Sequence, residues 1–299
     1  MTYSEIWHRI ATSYDDGEAR AIARILIEEL FGLSYADIVC GATEQLSADD
    51  TLRLDTAVRR IEQGEPLQHV LGYADFCGNR FSVNGSVLIP RPETEWLVDE
   101  GAKLMDGCIA SDETQHKAPY SPKRILDIGT GSGCIAISLK LRLGDAYVEA
   151  WDISEEALRT AQDNADALKV EVVFIKRDAL RADNTAAPWD LIVSNPPYIC
   201  DSERSAMDDN VLLHEPHTAL FVPDDDPLRF YRAIARYALL TLNIGGSLLF
   251  ECNTRYAEAT GKMLSDMGFE EVTVSDDCFG LPRFVRGSSP SQPSPSGRA

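Results

Sequence analysis

Three patterns in the sequence predict an α/β fold with a largely parallel, doubly covered sheet, preceded by a small all-α domain. From Arg124 onward, short apolar runs alternate with helical stretches. Up to about residue 75 the apolar spacing is helical throughout. The ends of the apolar runs carry glycine-rich or proline-bearing turns, where open α/β sheets place their ligands.

The length of 299 residues allows about two domains, and 44% hydrophobic residues suffice for real cores. In the first 75 residues, Ala19, Ile22, Ala23, Leu26, Ile27 and Leu30 recur on one helical face. Ser47, with Asp49 and Asp50, starts another helix whose stripe is Leu54, Ala57, Val58 and Ile61; Gly64 and Pro66 stop it. Residues 76–90 change character. Phe76, Phe81, Val83, Val87 and Ile89 are strand formers, separated by Gly78-Asn79 and Asn84-Gly85, so an antiparallel hairpin linker is predicted.

The second domain is predicted over 91–286. Pro92 sits near the first turn of its opening helix, and the polar stretch 107–123 reads as a loop. Strands follow at 124–128, 146–153, 170–175 and 190–195, with helices at 134–143 and 155–168 between them. A helix at 230–242 and strands at 247–251, 269–275 and 283–286 complete the domain. Residues 287–299, rich in Ser and Pro, read as a disordered tail.

Charge and cysteine usage bound the function. The net charge is −20, whereas nucleic-acid binders gain affinity by neutralising phosphates, so direct nucleic-acid binding is not expected. The seven cysteines form no C-x-x-C pair, which fits a reducing compartment rather than a disulfide or zinc framework. No basic-then-apolar leader opens the chain, and no apolar run reaches membrane-spanning length. A cytoplasmic protein with no membrane association is expected.

Three constellations carry chemistry. Residues 127–133, Asp-Ile-Gly-Thr-Gly-Ser-Gly, follow a strand and open a helix. Glycines there let the backbone turn tightly and approach a ligand closely. Cys134 stands where the dinucleotide fingerprint has its third glycine, so Gly129, Thr130, Gly131, Ser132 and Gly133 suit a nucleoside without a pyrophosphate. Asp152 ends the next strand, 19 residues beyond Gly133, and its two oxygens would accept both ribose hydroxyls. Asp178, after the following strand, would accept from an adenine amine, with Ala179 flanking the ring.

The third constellation is Asn195-Pro196-Pro197-Tyr198, at the end of an apolar strand. Two prolines remove two N–H donors and stiffen the loop. The Asn195 side-chain oxygen and the Pro196 carbonyl remain as acceptors, which suits a planar NH2 group. Tyr198 offers an aromatic face to a flat amide or base. His214, Glu215 and His217 read as a surface loop, and no metal is expected.

Residues 127–133 with Asp152 resemble the S-adenosylmethionine site of Rossmann-like methyltransferases. Residues 195–198 resemble the motif of those that methylate planar amino groups. Gly64-Glu65-Pro66-Leu67-Gln68-His69 and residues 87–95, Val-Leu-Ile-Pro-Arg-Pro-Glu-Thr-Glu, are more particular. They resemble the PrmC/HemK family of peptide chain release factor N(5)-glutamine methyltransferases. Glu215-Pro216, Ala219-Leu220, Gly280 and Arg283 extend the match, which covers nearly all of residues 1–286. His69-Val70 stands where the family commonly has Tyr-Ile, and Cys252 where a glycine often follows the acid.

The resemblance implies a seven-stranded methyltransferase domain and a helical domain that helps recognise the partner. It implies S-adenosyl-L-methionine as cofactor and S-adenosyl-L-homocysteine as product. The substrate would be the glutamine of the Gly-Gly-Gln loop in class 1 release factors, and the enzyme a monomer. By position, Asn195, Pro196, Pro197 and Tyr198 would hold the glutamine, with Asn195 also near the cofactor. A ribosomal-protein glutamine methyltransferase, an adenine-specific nucleic-acid methyltransferase and a non-catalytic cofactor-binding protein are the rival readings.

Overall fold

A computed structural model of the chain describes residues 1–110, 122–182 and 188–291. The chain forms two compact units.

The helical unit comprises Met1–Tyr73, Val83–Gly85 and Ala206–Glu215. Its main helices span Tyr3–Ile10, Asp16–Phe31 and Ala48–Glu62. Each starts where the sequence supplies a cap. Thr2 and Glu5 form a reciprocal capping box, the Asp15 carboxylate accepts from the N–H groups of Gly17 and Glu18, and the Ser47 hydroxyl accepts from that of Asp50. Gly32 ends the long helix in a left-handed conformation. Ile22, Leu26, Ile27, Leu54, Val58 and Ile61 meet in one core. Across it, Arg9 binds Glu62 through two nitrogens and Asp55 through a third, each at 2.7 Å.

The second unit comprises Ala74–Ser82, Ser86–Ser205 and Pro216–Ala299. A hairpin of β1 (Tyr73–Phe76) and β2 (Asn79–Ser82) precedes its sheet. The turn is Cys77-Gly78, with φ of 48° and 74°, one residue before the first of the two turn pairs in the sequence, Gly78-Asn79, and not at the second, Asn84-Gly85. Two positive φ values give the turn whose twist matches that of paired strands. Val83, Val87 and Ile89 are buried, but in irregular chain rather than in a further strand. The helix Glu95–Ala110 runs through the first residues of the stretch expected to be a loop; residues 111–121 lie outside those described.

The sheet contains β3 (Arg124–Ile128), β4 (Tyr147–Asp152), β5 (Val173–Lys176) and β6 (Trp189–Ser194). A short parallel pair, β7 (Ile199–Cys200) and β8 (Phe221–Val222), stands apart from it. The sheet closes with β9 (Leu242–Glu251), β10 (Glu270–Asp276) and β11 (Pro282–Ser288). Its order is β10-β11-β9-β6-β3-β4-β5, seven strands, with β11 antiparallel to its neighbours β10 and β9, and with β9, β6, β3, β4 and β5 paired in parallel.

Successive residues of the buried strands face opposite sides, which is why they read as continuous apolar runs. Ile125, Leu191, Val193 and Leu249 pack under the helices Glu95–Ala110 and Cys134–Leu143. Leu126, Ile192, Leu248 and Phe250 pack under Arg229–Thr241 and Ala257–Met267. The last strand outlasts its prediction. Gly287 and Ser288 pair with Leu248 and Ser247, and the Ser289 N–H donates to the Gly246 carbonyl at 2.8 Å. Their composition reads as tail, yet the ladder satisfies their backbone groups. Residues 292–299 lie outside those described.

Among the described residues, no helix is long and apolar enough to cross a membrane, and Cys40, Cys77, Cys134, Cys200, Cys252 and Cys278 are free thiols.

Candidate active site

Strand order alone locates a crevice. From β3 the chain moves outward through β4 to β5, then returns to β6 on the other side of β3. The carboxyl ends of β3 and β6 therefore flank a topological switch point, where loops diverge and leave room for a ligand. Register then brings specific residues to one level. Ile128 pairs with Trp151 and Ser194, and Ser194 with Phe250. The next residues are Gly129, Asp152, Asn195 and Glu251, so four strands deliver their chemistry in one row.

The glycine loop is shaped from below. Gly129 and Thr130 donate their N–H groups to the Trp151 carbonyl at 2.8 and 2.9 Å. Gly133 has φ of 81°, and a Cβ on it would lie 2.9 Å from Ile137 Cδ1 and 3.0 Å from Ala161 Cβ. The loop can press on its helix only without a side chain. Thr130 and Ser132 are buried: the Thr130 hydroxyl donates to Asp127 at 2.6 Å, and the Ser132 carbonyl accepts from Asn164. Burial pushes the Asp127 carboxyl up to about 7.

A cavity of about 340 Å³ opens above this row, within the usual range of roughly 300–1,000 Å³ for small-molecule sites. Gly129, Gly131, Asp152, Asp178, Ala179, Asn195, Pro196 and Pro197 all line it. Thr130, Ser132, Gly133 and Tyr198 do not; the first three build the loop's underside. Asp152 accepts from the N–H groups of Gly131 and Ser154, one on each oxygen, both at 2.9 Å. A carboxylate accepts about four hydrogen bonds, so Asp152 keeps acceptor capacity for a ligand. Burial raises its pKa, and those hydrogen bonds pull it back. Asp178 accepts from the Leu180 N–H at 2.9 Å, which caps a short helical turn and leaves Ala179 on the wall.

The Asn195 clamp has a buried support. Its Nδ2 donates to Thr94 Oγ1 at 3.4 Å, and the Thr94 hydroxyl donates to Glu251 Oε2 at 2.7 Å. The Tyr198 hydroxyl donates to the other Glu251 oxygen at 3.4 Å, and burial raises the tyrosine pKa well above its usual value. The Tyr198 ring packs beside the core under the second pair of helices, only partly exposed.

A family model described as the PrmC N-terminal domain matches residues 8–72, and one described as the methyltransferase small domain matches residues 96–220. Release factor glutamine methyltransferase of Bacteroides thetaiotaomicron is 42% identical over 273 residues, which cover 91% of this chain and 93% of that one. The chain belongs to the release factor glutamine methyltransferase family. A more distant member, from Deinococcus radiodurans, is 34% identical over 88% of this chain and 89% of its own. Among solved structures, the hMettl16 catalytic domain in complex with MAT2A 3'UTR hairpin 6 aligns over 82% of this chain and 83% of that one. Its TM-score is 0.53 at 16% identity, a likeness of fold.

Sequence reasoning missed part of the wall. Ser86, Val87 and Leu88 reach it from irregular chain, and Phe230 and Ile234 from the first turns of a helix that reads as ordinary core. Val87 and Leu88 belong to the motif at residues 87–95 but were not read as cavity wall, and no local pattern marks Ser86, Phe230 or Ile234. Glu251 was legible in principle: an acid closing the apolar strand Leu-Leu-Phe-Glu calls for a buried partner.

Proposed function

We propose that the enzyme transfers a methyl group from S-adenosyl-L-methionine to the side-chain amide nitrogen of the glutamine in the Gly-Gly-Gln motif of class 1 peptide chain release factors. The observation that carries this reading is the row at the sheet's carboxyl edge: a nucleoside-sized cavity between glycine loop and Asp152 on one side and Asn195-Pro196 on the other.

The residues fit the cofactor. A Cβ on Gly129 would come within 3.9 Å of the Asn195 carbonyl, so the absent side chain keeps the gap between loop and clamp open. Asp152 has acceptor capacity left for ribose hydroxyls, and Asp178 and Ala179 border the place for a base. When bound, S-adenosyl-L-methionine supplies an electrophilic methyl on a positively charged sulfur and leaves as S-adenosyl-L-homocysteine.

The protein's own task is orientation. An amide nitrogen is a poor nucleophile because its lone pair is delocalised into the carbonyl. The Asn195 side-chain oxygen and the Pro196 carbonyl accept its two N–H bonds, and Pro197 holds the loop rigid. Tyr198, which lies outside the cavity lining, supports the clamp from behind through its hydroxyl on Glu251. Such placement is worth up to ~7–11 kcal/mol in favourable cases. The two acceptors also stabilise positive charge as it grows on nitrogen, and the nitrogen sheds one proton to water after transfer. On this reading the enzyme acts as a monomer in the cytoplasm, where release factors act.

The test is to incubate the protein with labelled S-adenosylmethionine and a release factor, a ribosomal protein or DNA, and to map the label. Label on the Gly-Gly-Gln glutamine is expected. Label confined to ribosomal protein or to adenine would overturn the assignment.

A further inference from the structure

We infer that Glu251, acting through the Thr94 hydroxyl, is a positioning residue that sets which face of the Asn195 carboxamide looks into the cavity. The inference rests on the glutamine-methylation reading only for what the clamp grips. The device itself is a matter of hydrogen-bond polarity.

A threonine hydroxyl has one proton to give. Thr94 Oγ1 lies 2.7 Å from Glu251 Oε2, and both residues are almost wholly buried, at 3% and 1% exposure. When Glu251 is ionised it only accepts, so that proton is committed to it and the bond is charge-assisted. Thr94 then presents only lone pairs to Asn195. The Asn195 NH2 must turn inward to meet them, as its 3.4 Å contact records. Its carbonyl oxygen is left for the cavity that Asn195 lines. A carboxamide is nearly symmetric in shape, and packing alone would hold either orientation. With the NH2 outward, a donor would face the donors of the substrate amide, and the clamp would repel what it should grip.

The surroundings of Glu251 act on its charge in both directions. Burial is the largest influence and raises its pKa; the Thr94 bond, the Arg283 charge and the Tyr198 hydroxyl pull it down, and Glu93 pushes it up. Arg283 is itself anchored at 2.8 Å to Asp277. Tyr231 donates to the Glu251 backbone carbonyl, and Cys252 beside it is a buried thiol. A protonated Glu251 would donate to Thr94, free the threonine proton for Asn195, and reverse the carboxamide. Activity should therefore fall on the acid side through the pKa of Glu251, with cofactor affinity unchanged.

The test compares Glu251→Gln, Thr94→Val and Thr94→Ser in the full chain. The glutamine variant can hand its NH2 to Thr94 and so invert the relay; valine removes the relay at nearly constant volume; serine keeps it. The first two are expected to lose about 10- to 100-fold in kcat, with unchanged cofactor Kd, and Thr94→Ser to recover most of that loss. The acid limb of kcat should vanish from Glu251→Gln. By NMR, the Asn195 side-chain NH2 should exchange slowly with water in the parent protein and quickly in Glu251→Gln and Thr94→Val. Undiminished kcat in Thr94→Val, or Asn195 exchange equal in all variants, would overturn the inference. A parent protein that fails to methylate the release factor would instead overturn the glutamine reading, and the exchange measurement would still decide this one.

Discussion

Asp127 shows how a residue beneath the site can make the stability of the fold depend on pH. Its carboxyl is fully buried and is pushed up to about 7, chiefly by loss of hydration, with the Thr130 hydroxyl pulling it back. A carboxyl whose folded pKa lies above its unfolded value near 3.8 favours folding while it stays protonated. That contribution is complete below the unfolded pKa and is lost as pH rises through about 7. Asp127→Asn keeps an acceptor for Thr130 and removes the titration. Its melting temperature relative to the parent protein is expected to climb between pH ~4 and ~7, the direction that linkage dictates; a flat difference would place the Asp127 charge in a solvated site. At this scale the sequence was legible where residue type alone fixes chemistry, as with Asp152 and Asn195. Thr94 escaped notice because its role lies in a partner 157 residues away, on a strand that only the folded sheet brings beside it.

At the scale of elements, the alternating strand and helix pattern was readable because parallel strands buried on both faces must be apolar throughout. The glycine loop was readable for a related reason: only glycine tolerates its dihedrals. Gly133→Ala combines a positive φ with a Cβ 2.9 Å from Ile137. It is expected to cost about 2–4 kcal/mol, as left-handed strain plus overpacking. Chemical denaturation should show that loss and calorimetry a parallel fall in cofactor affinity; normal values of both would mean the loop does not need this geometry. Of the two turn pairs in the hairpin segment, the chain turns beside the first, and for a physical reason as well. Asn84-Gly85 carries the stronger turn chemistry, but Cys77-Gly78 is the pair that lies between two strands able to register, with Phe76 and Phe81 in edge-to-face contact 6.0 Å apart. The final strand was cut short because its polar end is held by backbone pairing, which composition does not report.

For the whole molecule, the charge of −20 selects among partners. An acidic chain gains nothing from counterion release on DNA or RNA, so labelled duplexes are expected to bind more weakly than ~10⁻⁴ M in anisotropy titrations. Binding at micromolar protein would expose a basic surface that the overall balance conceals. The two units were visible as a change from helical to alternating patterning, but not the inclusion of residues 206–215 in the first unit. Discontinuous membership is written in no local pattern, since it depends on contacts between segments far apart in the chain. The row of Gly129, Asp152, Asn195 and Glu251 likewise exists only once the register of β3, β4, β6 and β9 is set.

The most direct test of the account is single-turnover methylation of a release factor by Asn195→Ala, with cofactor affinity measured alongside. Transfer to glutamine should be nearly abolished while the cofactor still binds, because the variant loses an acceptor for the amide and not the nucleoside cavity. Transfer at close to the parent rate would contradict the assignment of Asn195 as the group that aims the carboxamide.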